Sequence, residues 1–308
     1  MTAQRITGFV LLAAALVAPW VAYPIFLMTA LCFALFACAF NLLLGYVGLM
    51  SFGHAMFFGV SGYFFGHVVK AWGMAPEVGI LAGVAGAAVL GAVTGALAIR
   101  RQGIYFAMIT LALAQMVYFF CLRAPFTGGE NGIQSVPRGK LLGVLDLNQP
   151  LPMYYFVLAI FLAAFLLIHR IIHSPFGQVL KAIRENEPRA VSLGYRTERY
   201  KLAAFVLSAG LAGLAGATKA IVVGNASLTD VYWAMSGEVV LMTLLGGMGT
   251  VFGPVVGAFV IISMQFYLAE LGSWVIIAQG IIFVVCVLSF RRGVVGEIEA
   301  WLRARRKG

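Results

Sequence analysis

Charge is what this sequence has least of: only 10% of its 308 residues are Asp, Glu, Lys or Arg, against roughly 25% in soluble domains. A chain so poor in charge cannot cover a folded surface for water, and a soluble protein of this length would still need a charged shell around its core. That excludes a soluble globular protein. With 62% apolar residues, the solvent of this fold is lipid.

Histidine and cysteine are scarce too, four of each. Cys32, Cys38, Cys121 and Cys286 fall in apolar runs without CxxC spacing or histidine partners, and read as buried small hydrophobes. His54, His67, His169 and His173 are dispersed. No convergent His, Cys or carboxylate set points to a membrane-embedded enzyme, and no metal or cofactor is expected. There is no GxxxxGK[ST] phosphate loop, so any nucleotide chemistry belongs to a partner chain.

The formal charge of +10 does not point to nucleic acid, because the basic residues sit in short loops and a tail rather than on an aromatic-studded surface. Arg170, Lys181, Arg184, Arg189, Arg196, Arg199 and Lys201 crowd one interhelical segment, and Arg291, Arg292, Arg303, Arg305, Arg306 and Lys307 fill the C-terminal end. Both regions are expected on the cytoplasmic side. Apolar segments of membrane length run over 6 to 23, 25 to 44, 50 to 69, 77 to 99, 104 to 122, 151 to 172, 201 to 224 and 272 to 290. The first follows Arg5 like a signal peptide but leads straight into another span, and is read as a retained helix.

The stretch 236 to 270 is broken. Its first apolar piece ends in GGMGTVFGP, Gly246 to Pro254, whose glycines and proline predict a half-helix or hairpin. If it exits on the side it entered, every Lys and Arg except Lys70, Arg123, Arg138, Lys140 and Lys219 lies with both termini in the cytoplasm. The expectation is an all-α transmembrane bundle of about eight full spans plus broken or re-entrant helices. Residues 1 to 290 would form the membrane domain and 291 to 308 a basic amphipathic tail, with Val294, Val295, Ile298, Trp301 and Leu302 facing an anionic leaflet.

Two related strings lie about 200 residues apart, LLGYVGLMSFGHAMFFG and LLGGMGTVFGPVVG. Gly45, Gly48 and Gly53 in the first answer Gly246, Gly249 and Gly253 in the second, with Gly247 beside them. Paired interruptions in a transporter mark two halves meeting at the bilayer midplane beside the substrate path. Small residues also recur every four positions, at Gly79, Gly83, Ala87, Gly91 and Gly95 and again at Ser208, Ala212, Gly216, Ala220 and Gly224. Helices approach closely along such stripes.

The segment from Ser174 to Leu202 carries more order than a linker. Asn186 is placed to cap a short helix with Glu187 and Pro188 in its first turn, and Gly194 to end it in a left-handed conformation. Ala190, Val191 and Leu193 are small or apolar, while Arg184, Glu185, Glu187, Arg189 and Arg196 supply charge. The composition suits docking in a groove of another protein; a helix lying on lipid headgroups is the other reading.

Glu187, Ala190 and Gly194 stand in an E-x-x-A-x-x-x-G arrangement that resembles the coupling loop of ABC importer permeases, although the full signature is only partly present. Five strings in order widen the resemblance: NLLLGYVGLMSFGHAMFFG from Asn41, RQGIYFAMITLA from Arg101, TGGENGI from Thr127, SPFGQVLKAIRENEPRA from Ser174 and SGEVVLMTLLGGMGTVFGPVVGA from Ser236. Together they resemble branched-chain amino-acid permease subunits. The resemblance implies half of a translocation pathway in a bacterial plasma (inner) membrane. A second related permease, two cytoplasmic ATPases and an extracytoplasmic solute-binding protein would complete the importer. It also implies that Arg184, Glu185, Glu187, Pro188, Arg189, Ala190 and Gly194 couple the chain to the ATPase. Urea or short amides are alternative solutes, and a self-contained channel or secondary transporter is the rival class.

Polar residues within spans either line a path or bond neighbouring helices. Asn41, Ser51, His54, Gln115, Glu238, Thr243 and Gln265 are the pathway candidates. For Glu238 a second reading stands, with Ser236 capping its helix and the carboxylate complementing the helix dipole. Lys219, near a span end, is expected to snorkel to headgroups. The turn-rich stretch Thr127 to Gly132 is read as a contact for the binding protein or as a plain connection.

Overall fold

The computed structural model describes residues 15–297 apart from 21, 142, 144, 270, 271, 273 and 290–292. Residues 6 to 14 of the expected first span, most of the basic tail and the Cys286 side chain lie outside the described parts. Eleven α-helices follow one another there: α1 Pro24–Leu44, α2 His54–Lys70, α3 Pro76–Ala98, α4 Ile104–Arg123, α5 Pro150–His173, α6 Pro175–Glu185, α7 Glu187–Ser192, α8 Thr197–Val223, α9 Trp233–Gly246, α10 Gly253–Tyr267 and α11 Trp274–Ser289. A two-residue antiparallel ladder, Lys140–Leu141 with Leu145–Asp146, closes the loop before α5.

Helices α1, α3, α4, α5 and α8 are each long and apolar enough to cross a membrane. Their starts follow local chemistry. Pro24, Pro76 and Pro150 open α1, α3 and α5 at positions where the missing N–H costs nothing.

α1 is the axis of the bundle and is almost wholly enclosed, with α8, α10, α5 and α9 packed around it. The α3 stripe meets α8, but through Ala209, Gly213 and Ala217 rather than through the α8 stripe, whose Ser208, Gly216 and Ala220 face α2. Gly83 and Gly91 of α3 face Ala217 and Ala209 of α8, and Gly213 of α8 faces Ala87. Gly216 sits against the Phe58 carbonyl of α2, where any Cβ would collide with backbone. Helices α2, α3 and α8 therefore form one tightly packed triplet, gaining dispersion contacts that longer side chains would forbid.

Boundaries shift in informative places. The span expected over 50 to 69 starts only at His54, because residues 45–53 are irregular. There the Leu43 carbonyl receives the N–H groups of Val47, Gly48 and Leu49, and Gly48 takes φ +83°, so the helix cannot continue. The 236 to 270 stretch is broken where expected. α9 and α10 form a hairpin whose turn carries Gly247 at φ +123° and Gly249 at φ +78°. Its arms touch through glycines: a Cβ on Gly257 would strike the Met242 carbonyl. Phe266 at the far end of α10 packs 5.1 Å from Phe26 at the start of α1, so α10 runs antiparallel to α1.

Candidate functional site

α6 and α7 are built by successive caps. The Ser174 Oγ accepts the Gly177 N–H at 3.3 Å, Pro175 begins α6, and Gly177, Leu180 and Ile183 form its buried face. Composition alone did not separate α6 from the loop, although Ser-Pro followed by apolar positions at helical spacing is a legible start signal. The chain then turns at Asn186, whose Oδ1 accepts the Arg189 N–H at 3.0 Å as the N-cap of α7. Pro188 lies in its first turn and Gly194 follows at φ +88°, the geometry expected from the residue order.

The charges of this segment are placed differently from the docking surface expected. Glu187 faces the bundle, accepting from Lys201 Nζ of α8 at 2.5 Å and from Gln102 Nε2 in the α3–α4 turn at 2.8 Å. Lys201 is buried, and an ammonium removed from water requires such a partner. Ala190 is also buried, at 2% exposure. What α7 and its end present outward is apolar, Val191 at 54% and Leu193 at 70%, flanked by exposed Glu185 and Arg189.

Arg184, at the end of α6, reaches the other feature singled out in the sequence. Its guanidinium donates to the Gly45 carbonyl at the C-terminus of α1, where a cation complements the helix dipole. It also lies against Gly48 and Gly249. Asn41 closes the same junction: its Oδ1 accepts the Gly249 N–H at 2.9 Å and its Nδ2 donates to the Thr250 carbonyl at 2.9 Å. The two glycine breaks therefore meet, but beside Arg184 and the coupling-like segment rather than at the midplane. The reason is the length of α1, whose 21 residues span about 31 Å before the break begins.

The other pathway candidates divide by burial. His54 is fully buried, edge-on to Phe40, Phe57 and Phe205, with Nε2 2.8 Å from Ser208 Oγ. Ser208 donates onward to the Ala39 carbonyl at 2.6 Å, so His54 Nε2 carries the proton. Ser51 Oγ accepts the Gly53 N–H at 3.2 Å. Thr243 bonds the Val239 carbonyl at 2.8 Å and faces Ala37 O at 3.5 Å. These groups tie α1, α2, α8 and α9 together. Glu238 and Gln265 are half-buried and joined across the α9–α10 hairpin at 3.1 Å. Gln115 is half-buried on α4.

Two expectations are corrected. Ser236 does not cap its own helix, which begins earlier at Trp233. It accepts the Ala55 N–H at 2.9 Å and so caps α2 from a different element, leaving Glu238 outside any first turn. Lys219 does not reach for headgroups. It donates to both oxygens of Asp230, at 2.9 and 2.7 Å, in the 3-10 turn Leu228–Asp230. The Thr127 to Gly132 stretch is anchored on the same side by the Ile133–Ala226 bridge.

A multi-pass helical bundle with an interrupted hairpin, a capped basic segment at one end and interhelical polar ties is the build of a membrane permease. Residues 23–290 match the family described as branched-chain amino acid transport system, permease component, and the chain belongs to that family. It is 25% identical to the high-affinity branched-chain amino acid transport system permease protein LivM of Escherichia coli (strain K12), over 86% of this chain and 68% of that one. A probable LivM of Methanocaldococcus jannaschii is 27% identical over 70% and 72%. The ribose import permease protein RbsC of Bacillus subtilis (strain 168) is 31% identical over 54% and 52%. No solved structure matches the chain. As a permease component, the chain is a membrane subunit of a transporter complex rather than an enzyme.

Proposed function

We propose that this chain forms half of the translocation pathway of an ABC importer for branched-chain or related amino acids, in a bacterial plasma membrane with both termini inside. A related permease supplies the other half, two ATPases dock on the cytoplasmic side, and an extracytoplasmic binding protein delivers the solute. Residues 1 to 290 act as the membrane domain and 291 to 308 as a basic anchor on the inner leaflet. The LivM relatives carry the solute assignment; the ribose permease relative indicates that the same scaffold serves other polar solutes.

The observation that carries the mechanism is the Arg184 contact. Val191 of α7 and Leu193 just past its end offer an apolar docking face, Glu187 fastens that helix to α8, and Arg184 joins the adjoining α6 to both glycine breaks. A push on α7 is thus delivered to the ends of α1, α9 and α10 through a rigid, hydrogen-bonded path. Glu238, Gln265 and Gln115 are assigned to the solute path, since a half-exposed carboxylate facing hydrocarbon would be costly. Asn41, Ser51, His54 and Thr243 hold the helices that frame it.

The test is uptake of labelled leucine, isoleucine and valine by vesicles containing the chain with its permease and ATPase partners and binding protein. ATP-dependent accumulation is expected, saturating in binding protein. Accumulation without ATP would favour a self-contained transporter, and ATP-dependent uptake of urea or ribose alone would replace the solute class.

A further inference from the structure

A cleft of ≈ 490 Å³ opens where α7 gives way to α8, lined by Phe176, Tyr195, Arg196, Arg199, Tyr200 and Ala203. Its aromatic side is fixed by contact: the Phe176 and Tyr200 rings stack at 5.7 Å and Tyr195 meets Tyr200 edge-on at 6.0 Å. Arg196 and Arg199 are exposed, and among the described residues neither joins an ion pair. The helical period places Arg199, Tyr200, Ala203 and Leu207 on one face of α8 and Glu198 on the opposite one, and Arg196, just before the helix, lines the cleft beside them. Ala203 and Leu207 are exposed along that face, so the cleft continues upward as a bare apolar strip.

Depth follows from length. The 27 residues of α8 extend about 40 Å, roughly 10 Å more than the hydrocarbon core, and the charges of its first turns, Glu198, Arg199 and Lys201, favour that end for the surplus, at the level of lipid headgroups. Two guanidiniums without carboxylates, an aromatic wall at the interface and an apolar strip leading into the bilayer match one kind of molecule. Val191 and Leu193, the face proposed above for the ATPase, do not line this cleft.

We propose that the cleft binds an anionic phospholipid, with Arg196 and Arg199 holding its phosphate and an acyl chain lying over Ala203 and Leu207. Bound there, the lipid braces the turn at Gly194 through which α7 is joined to α8. This site is independent of the solute assignment.

The test uses the purified full-length chain in phosphatidylcholine nanodiscs containing a minor share of phosphatidylglycerol, with retained lipid counted by native mass spectrometry. The wild type is expected to retain phosphatidylglycerol selectively. The pair Arg196→Gln and Arg199→Gln should lower that retention about tenfold or more, while Arg196→Lys with Arg199→Lys keeps most of it and Arg170→Gln keeps all. Equal retention in the glutamine pair overturns the proposal. So does complete displacement from the wild type by inorganic phosphate, which would define a free-anion site. Loss of lipid on adding the ATPase subunits would make the cleft a protein contact and overturn it as well.

Discussion

Asn41 bonds Gly249 with one edge of its side-chain amide and the neighbouring Thr250 carbonyl with the other, both at 2.9 Å. One side chain of α1 thereby supplies the donor and the acceptor that the hairpin turn lacks. Asn41→Leu leaves a backbone N–H and a carbonyl without partners in a part-buried site, at a cost of about 1–3 kcal/mol for each group. Thermal unfolding of the purified protein should fall sharply. Asn41→Asp keeps the acceptor and should lie between the two. Equal stability of all three proteins would show that the junction does not depend on this amide.

Arg184 connects the coupling-like segment to Gly45, and a forked, planar cation is suited to a site crowded by Gly48 and Gly249. Arg184→Gln should leave ATPase activity of the assembled complex near wild type while lowering uptake about tenfold or more, a loss on the order of 1.4 kcal/mol in transmitted free energy. Arg184→Lys should recover only part of it. The measured quantity is solute accumulated per ATP hydrolysed, and a ratio unchanged in the glutamine variant would remove Arg184 from transmission.

Lys201 and Glu187 should behave asymmetrically. Glu187→Gln strands a buried ammonium and should destabilise by about 3–5 kcal/mol, read as a lowered melting temperature. Lys201→Met with Glu187→Gln removes both charges and should restore most of that loss. A double variant no better than the single one would deny the ion pair this role.

Glycine substitutions should separate contact from conformation. Gly216→Ala drives a Cβ into the Phe58 carbonyl and should loosen the α2–α3–α8 triplet, costing about 1–3 kcal/mol. Gly237→Ala meets nothing and should be neutral or slightly stabilising by helix propensity. At Gly194, φ +88° with open space around it predicts a strain of roughly 1–2 kcal/mol for a bulky residue, with the protein still inserted in the membrane. Melting temperatures should fall from Gly237→Ala through the Gly194 variant to Gly216→Ala.

Local signals carried much of this fold in the sequence. Asn186, Pro188 and Gly194 announce α7 because each acts on backbone within a few residues, and the stripes of α3 and α8 announce close packing because helical period alone brings them to one face. Gly45, Gly48 and Gly246 to Gly249 mark real interruptions. What remained hidden depends on pairing at a distance. Lys219 and Asp230 meet only because the chain folds back after Gly224, and Lys201 reaches Glu187 only across the turn at Gly194. Ser236 looks like a cap for its own helix, yet the helix starts three residues earlier and the hydroxyl serves α2. The depth of the glycine junction was set by the length of α1, a quantity that the repeat itself does not encode.

The enclosure of α1 has a bearing on biogenesis. The helix emerging early from the ribosome is apolar enough to enter lipid alone, yet in the finished bundle it is surrounded by α5, α8, α9 and α10, made later. It begins with a lipid annulus and ends with a protein one. A nascent chain halted before α8 would therefore leave α1 covered by α2 and α5 on one side and by lipid on the rest, its Asn41 amide without the turn at Gly249 and Thr250 that it bonds, a mark by which membrane quality control could single out an unfinished subunit.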